Sequence, residues 1–494
     1  MRINRLIPAL LFCIPLLGTA PAQPSPEPGL GLHLTPCVLE HTKIPAQCGT
    51  FGVYENRETR AGRIIQLKLL VVPAVHPQKK AVAEIAGGPG QAVTPFAPYF
   101  ISGQAGKARP ALHQTYDYIY MDDRGMAGSS AFDCNFAPPN DPAASLQYLF
   151  PPKILASCRA NSLATHDLPQ YNTNNTVDDL DDIRAALGYD KIVVSGGSYG
   201  TFFSMVYMRR HGEHVESALL DGVAPPGFQP IPGEPIGAQH ALDDLFTKCA
   251  ANAQCNKNFP GFKQHFYALL KRFDSGPLPV QAKNIATKKY QPAELSKEVF
   301  VDTLRHLLYD PDAASYLPYI VEHAYNRDYA PLTYMMQLAI QYEFAALEPA
   351  YLAYTCSDFM PFVSPSALRY ATSHSFVSDL RIRAQRQACR VWNVPPMPAS
   401  FNDPVKSDVP VLMLLGSDDP ATPAHYGLAA LKYLPNGRAI LVKGGGHGAD
   451  TACTDKLVVQ FVQAHSAKGL DVNSCSASFK LPTFKTSMKG LPPL

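Results

Sequence analysis

One run of the 494-residue chain carries residue types that could do nucleophilic chemistry. Lys191-Ile-Val-Val-Ser195 leads into Gly196-Gly197-Ser198-Tyr199-Gly200, and Thr201 to His211 follows with a helical pattern. A β-branched run, a Gly-x-Ser-x-Gly turn and a helix put a serine hydroxyl on a sharp turn above a sheet, where the flanking glycines avoid side-chain clashes. The helix presents its first N–H groups and the positive end of its dipole to any negative charge that develops there. Serine is a weak nucleophile until a base takes its proton, so Ser198 needs a histidine and an acid to orient that histidine.

In such an arrangement the acid and then the histidine come later in the chain, each beyond a strand. Val411-Leu-Met-Leu-Leu415 ends in Gly416-Ser417-Asp418-Asp419-Pro420, where two adjacent aspartates compete and Asp419 is taken as the acid. Ala439 to Val442 runs into Lys443-Gly-Gly-Gly446-His447-Gly448. A histidine embedded in glycines has little packing to do, and His447 is the expected base, whereas His113, His166, His211 and His425 are read as structural. A tetrahedral intermediate also needs donors. The N–H of Tyr199 is one, and the loop Ala86-Gly87-Gly88-Pro89-Gly90 after the run Val82 to Ile85 supplies the second, assigned to Gly88. That loop is neither a dinucleotide fingerprint nor a Walker motif. A dehalogenase is excluded, because it would need a carboxylate where Ser198 stands. The three residues supply nucleophile, base and orientation, so no cofactor is expected. No metal is expected either: there is no Cys-x-x-Cys, and His211 and His214 have no cysteine near them.

The elements that would hold these residues are short apolar runs alternating with helical patterns: Ile64 to Val75, Val82 to Ile85, Tyr118 to Met121, Ile192 to Val194, Ala218 to Leu220, Val411 to Leu415 and Ala439 to Val442. Buried strands of a mostly parallel sheet look like this. Between about Pro230 and Pro395 strands are hard to find, and helical patterns rich in aromatics, with Tyr334, Met335, Met336, Phe344, Tyr351 and Tyr354, predict an inserted helical lid. The expected division is a leader over 1–22, a first part of an α/β core over 23–230, the lid over 231–395 and the rest of the core over 396–494. Thr176-Val-Asp-Asp179 has the form of a capping box, and Gly188 is placed to end that helix. The acidic cluster Asp178, Asp179, Asp181 and Asp182 is read as a solvated helix start rather than a calcium site.

A composition of 46% hydrophobic and 17% charged residues is an ordinary globular profile and excludes disorder as the main state. Arg2 and Arg5 precede the apolar run Leu6 to Leu17, and Gly18, Ala20 and Ala22 follow it, the order of a secretory signal cleaved after Ala22. The run is too short to cross a bilayer, and Cys13 is a poor lipid-anchor site, so no stable membrane anchor is expected. The formal charge is +2 and both leader arginines contribute to it, so a mature chain is neutral, which argues against nucleic acid as a partner. Ten cysteines remain, and in an exported chain disulfides are the default. They group as Cys37/Cys48, Cys134/Cys158, Cys249/Cys255, Cys356/Cys389 and Cys453/Cys475, with nearest-neighbour pairing expected.

Gly87-Gly-Pro-Gly90, Asp122-Asp-Arg-Gly125 with Ser129, Gly196-Gly-Ser-Tyr-Gly200-Thr201, Leu220-Asp-Gly-Val223, Gly416-x-x-Asp419-Pro-x-Thr-Pro423 and Gly446-His-Gly448 resemble secreted tripeptidyl and prolyl aminopeptidases of the α/β-hydrolase fold. The match extends to Cys249 and Cys255, Cys356-Ser-Asp358, Cys389 with Trp392, and Cys453 and Cys475, and it is closer to the tripeptidyl branch. The resemblance implies Ser198, Asp419 and His447 as the triad and favours Asp419 over Asp418. The chain departs from it at Ala86, Ala127 and Asp358-Phe359. An exopeptidase must hold a free amino terminus with carboxylates on the lid side, for which Glu343, Glu348 and Asp358 are candidates. The reading is a secreted or periplasmic serine hydrolase that releases short N-terminal peptides or proline. A carboxylesterase with the same triad is the alternative, and a non-catalytic binding protein the more distant one. The partner in either enzyme is a small peptide or ester substrate.

Overall fold

The apolar runs become strands of one sheet, buried on both faces at its centre. The computed structural model of the protein describes residues 29–492, apart from 127, 133–140, 229, 285 and 341–349. Its strands are β1 (Gly31–Val38), β2 (Pro45–Tyr54), β3 (Ile64–Val72), β4 (Ala81–Ile85), β5 (Asp117–Met121), β6 (Ile192–Gly197), β7 (Val215–Asp221), β8 (Leu278–Lys283), β9 (Tyr290–Leu295), β10 (Val411–Gly416) and β11 (Gly437–Val442). Nine of them form one sheet in the order β1-β2-β3-β5-β4-β6-β7-β10-β11. The ladders from β5 through β11 are parallel, and those joining β1, β2, β3 and β5 are antiparallel. Every residue of β4 and β10 is buried, which is why β10 reads as an unbroken apolar run and β4 as one interrupted only by Glu84. This is an α/β-hydrolase fold, a mostly parallel sheet flanked by helices.

Two crossover helices frame the candidate nucleophile. Helix α1 (Thr173–Ala186) precedes β6, and α2 (Tyr199–His211) follows it. The start of α1 differs from the expected capping box. Asn172 is the cap, its side chain accepting from Asn175 N at 3.1 Å, while Thr176 lies a turn inside and bonds Asn172 O at 3.0 Å. Asparagine is at least as good a cap as threonine, so the helix begins one turn earlier. Gly188, at φ 79°, ends it. The acidic cluster is not a solvated face but an ion-pair network. Arg57 bonds Asp179 at 2.6 Å and Asp182 at 2.7 Å, buried Arg124 clamps Asp179 through two nitrogens at 2.7 and 2.8 Å, and Arg210 and Arg184 take Asp178 and Asp181.

Between β7 and β10 the chain leaves the sheet and builds a cap. Its principal helices are α3 (Pro230–Ala251), α4 (Lys297–Leu307), α5 (Ala350–Tyr354) and α6 (Leu380–Trp392). The part from Ala238 to Ile340 has its own apolar core, with Phe246, Phe266, Phe300 and Met336. The part from Ala350 to Trp392, apart from Phe376 and Val377, shares the main core with α2, and Trp392 meets Phe132 edge-on at 5.7 Å. The cap also contains the antiparallel hairpin β8–β9, where no strand was expected. Its strands carry Pro279 and Pro292, which mask a strand pattern.

Disulfides join Cys37–Cys48, Cys249–Cys255, Cys356–Cys389 and Cys453–Cys475. Cys158 is also disulfide-bonded. Cys134 lies outside the described residues, as does the leader 1–22. Among the described residues no helix is long and apolar enough to cross a membrane.

Candidate active site

Ser198 stands between β6 and α2 at φ 55°, ψ −121°, a backbone conformation that costs a non-glycine residue energy and is held by its neighbours. Its N–H donates to Asp221 O at 2.9 Å, and Thr201 N donates to Ser198 O at 2.9 Å. Gly200 explains the last glycine of the motif. A Cβ there would lie 2.6 Å from Ile85 O and 2.8 Å from Ala86 O, so a side chain would push α2 off the end of β4. Gly87 allows the other close approach, because a Cβ on it would sit 3.3 Å from Ser198 Cβ. The loop after β4 therefore runs directly against the serine.

His447 and Asp419 meet beyond β11 and β10. His447 Nδ1 lies 3.0 Å from both carboxylate oxygens of Asp419. Asp419 is buried and also accepts from Ala421 N at 2.8 Å, Thr422 N at 2.9 Å and Thr422 Oγ1 at 2.7 Å. Burial alone would raise this acid, but His447 and those donors outweigh it and hold the carboxyl below its ordinary range. Burial alone would likewise lower His447, and Asp419 reverses it, so the imidazole titrates above its usual value. Asp418 faces away and pairs with Lys248 and Ser417. His447 is fixed from the cap side, where its backbone N–H donates to Tyr309 O at 2.8 Å and the Tyr309 ring meets the imidazole edge-on at 4.8 Å.

Ser198, Tyr199, Gly88 and His447 line one cavity of about 650 Å³. Phe202, Phe228 and Phe359 make part of its wall, with Phe96 and Tyr99 at an exposed rim. The cap adds charges that sequence spacing did not reveal. Glu234 pairs with buried Arg305 at 2.9 Å, and Arg381 bonds Asp302 at 2.9 Å, with Glu234, Arg305 and Arg381 all lining the cavity. Although burial pushes Asp302 up, Arg381 and Arg305 hold it down to about 2, and burial with Arg305 drops the neighbouring His306 to about 3. On the core side, burial and Asp450 push Asp221 up to about 7. These groups come from three separate helices and a strand end, so no local motif could announce them.

Of the carboxylates expected to hold an amino terminus, Glu343 and Glu348 lie outside the described residues. Asp358 is buried in a π-helical turn, Thr355–Phe359, and does not line the cavity. Its Oδ2 accepts from Thr173 Oγ1 at 2.6 Å and Thr173 N at 3.0 Å, and Oδ1 accepts from Ser357 Oγ at 2.6 Å. With its lone pairs engaged by these structural donors, it has no reach to a ligand.

Residues 99–297 match the alpha/beta hydrolase fold family, and residues 375–475 match the family described as TAP-like protein. The serine protease Hip1 of Mycobacterium tuberculosis is 25% identical over 493 residues, covering 92% of either chain. A tripeptidyl aminopeptidase of Streptomyces coelicolor is 30% identical over 208 residues, 38% of this chain and 37% of that one. A protein of Mycobacterium tuberculosis named carboxylesterase B is 25% identical over 462 residues, 84% of each.

Proposed function

We propose that this serine hydrolase of the α/β-hydrolase fold, similar to the TAP-like proteins, is an exported aminopeptidase that releases short N-terminal peptides through a Ser198 acyl-enzyme. The observation that supports this most is Ser198, on its elbow, opening into the same cavity as a histidine bonded to a buried aspartate. In this reading Ser198 Oγ attacks the scissile carbonyl while His447 Nε2 takes its proton. Tyr199 N–H and an N–H of the Gly87-Gly88 loop hold the oxyanion, and Asp419 stays ionised beside the imidazolium. The imidazolium then gives its proton to the leaving amine as the C–N bond breaks. Water, deprotonated by His447, hydrolyses the ester and restores Ser198.

The cap supports a peptide with a free amino terminus. Glu234, partly exposed in the cavity with one oxygen on Arg305, supplies the negative charge that a protonated amine needs. Glu343 and Glu348 are retained as further candidates. Export is supported by the disulfides and by the charged, apolar, small-residue order of the leader. A second reading, carboxylesterase, is supported by the aromatic walls and by the relative of that name.

Turnover of matched free and N-acetylated Ala-Ala-Pro and Pro anilides, beside a short-chain aryl ester, separates the two. Cleavage of the free anilides alone, lost in Ser198→Ala, is the expected result. Ester turnover without anilide cleavage would replace the reading with the esterase, and no Ser198-dependent turnover would remove both.

A further inference from the structure

At the far end of α2 from Ser198, about 20 Å along the helix, His211 closes the helix and His214 follows in the turn Gly212–His214. Their rings are nearly parallel, 11° apart with centroids at 6.2 Å, and both turn Nδ1 toward Asp181 on α1. His214 Nδ1 lies 2.8 Å from Asp181 Oδ1, and His211 Nδ1 lies 3.6 Å from Oδ2. One ligand atom from each residue falls within 4.8 Å of the other two. Asp181 Oδ1 also accepts from Arg184 Nε at 2.8 Å and Tyr207 OH at 2.9 Å, and Oδ2 accepts from Arg184 Nη2 at 3.3 Å.

A second observation points to a cation between these atoms. His211 Nε2 is 2.8 Å from Asp178 Oδ1, which also bonds Arg210. The other ring nitrogen, Nδ1, faces Asp181 Oδ2 at 3.6 Å, beyond hydrogen-bond reach. Carboxylate, imidazole and metal in line is how histidine ligands are commonly oriented. Two imidazole nitrogens and one carboxylate oxygen suit zinc, whose tetrahedral ligands at about 2.0–2.1 Å stand about 3.3 Å apart, within the 4.8 Å that encloses the three ligand atoms here.

We propose that Asp181, His211 and His214 bind a divalent transition-metal ion of the zinc class, with water completing the tetrahedron and Asp178 orienting His211 from outside. The sequence hid the site because the histidines lie on one segment and the carboxylate comes from another helix. The ion braces α1 to the end of α2 and takes no part in chemistry at Ser198, so the site stands whether or not the enzyme is an aminopeptidase.

The test is titration of untagged, EDTA-treated mature protein with zinc chloride by calorimetry at neutral pH. One equivalent should bind with a micromolar Kd, and zinc at about 100 times that Kd should raise Tm by about 2–4 °C. His214→Gln should weaken binding at least about 100-fold and Asp178→Asn about 10- to 100-fold, with Ser198-dependent turnover unchanged in both as the check on folding. The proposal is overturned by no saturable single-site binding below about 100 μM zinc, or by equal binding in His214→Gln and His211→Gln.

Discussion

Two adjacent aspartates share one turn after β10, and the structure separates them by what each can reach. Asp419 points inward to His447, and Asp418 outward to Lys248. If His447 is the base, it must be neutral to act, so turnover falls as pH drops through its raised pKa and the acid limb of kcat/KM lies above 6.5. Asp419→Asn should move that limb down and lower kcat about 10³- to 10⁴-fold, read from kcat/KM profiles between about pH 5 and 9. An unchanged limb would mean that Asp419 does not set the base. Asp358 carries a separate prediction. Burial outweighs its hydrogen bonds and raises it from 3.8 to about 6. The folded state thus binds the proton more tightly than the unfolded one, and the stability this gives is complete below about 3.8 and lost as pH rises through 6. The swing is about 3 kcal/mol, and Asp358→Asn should flatten it in denaturant titrations at a series of pH values. His447 was legible in the sequence because a histidine among glycines has nothing to pack against. Asp358 was misplaced because its neighbours in the chain say nothing about Thr173, which takes its carboxylate from 185 residues away.

At the scale of elements, the sequence announced those strands that are buried on both faces. β4, β6 and β10 read as apolar runs, and the loops after them hold Gly88, Ser198 and Asp419, while His447 follows the half-buried β11. β1 and β2 were not legible. They lie at the antiparallel edge, where β1 is largely exposed, and their register is pinned by Cys37–Cys48 rather than by an apolar face. The elbow is where an element boundary matters most. Tyr199 OH reaches Thr173 Oγ1 at 2.8 Å, and that hydroxyl donates to Asp358, so the first turn of α2 is tied both to α1 and to the π-helical turn of the cap. Gly200→Ala tests how tightly that turn is seated on β4. With a Cβ only 2.6 Å from Ile85 O, backbone must move, which should cost about 2–3 kcal/mol in stability. Turnover should fall by more than the stability loss explains, because Tyr199 N–H moves with the turn. A variant with full activity at reduced Tm would separate the seat of the helix from the oxyanion site.

At the scale of the molecule, the strand runs of the sequence stop near Pro230 and resume at Val411. What the sequence concealed is that the cap is fastened at three levels. Its lower part, from Ala350 to Trp392, belongs to the main core, and Cys356–Cys389 ties the cavity wall to α6. The third fastening is the C-terminal tail. It leaves helix α7 (Ala452–Ala464), is anchored there by Cys453–Cys475, and passes the His447 loop, where Lys443 N donates to Ser476 O at 2.8 Å. It then climbs onto the cap. Phe484, Met488 and Leu491 pack against the cap core, Lys485 N donates to Ser315 O at 3.1 Å, and Tyr334 OH bonds Pro492 O. Leu481 and Phe484 also wall a second hollow of about 440 Å³ behind Gly446. A chain ending at Ser478 loses these contacts but keeps the disulfide and every strand, so the cost, about 2–4 kcal/mol of apolar burial, should fall on the cap alone. Amide exchange should quicken in α4 and at Ala313–Tyr316 and stay slow in β4, β6 and β10. Since Tyr309 at the end of α4 braces His447, KM and kcat should both worsen in the truncated chain. Exchange that quickens equally in the sheet would mean that cap and core unfold as one unit, with the tail stapling a whole rather than fastening two parts.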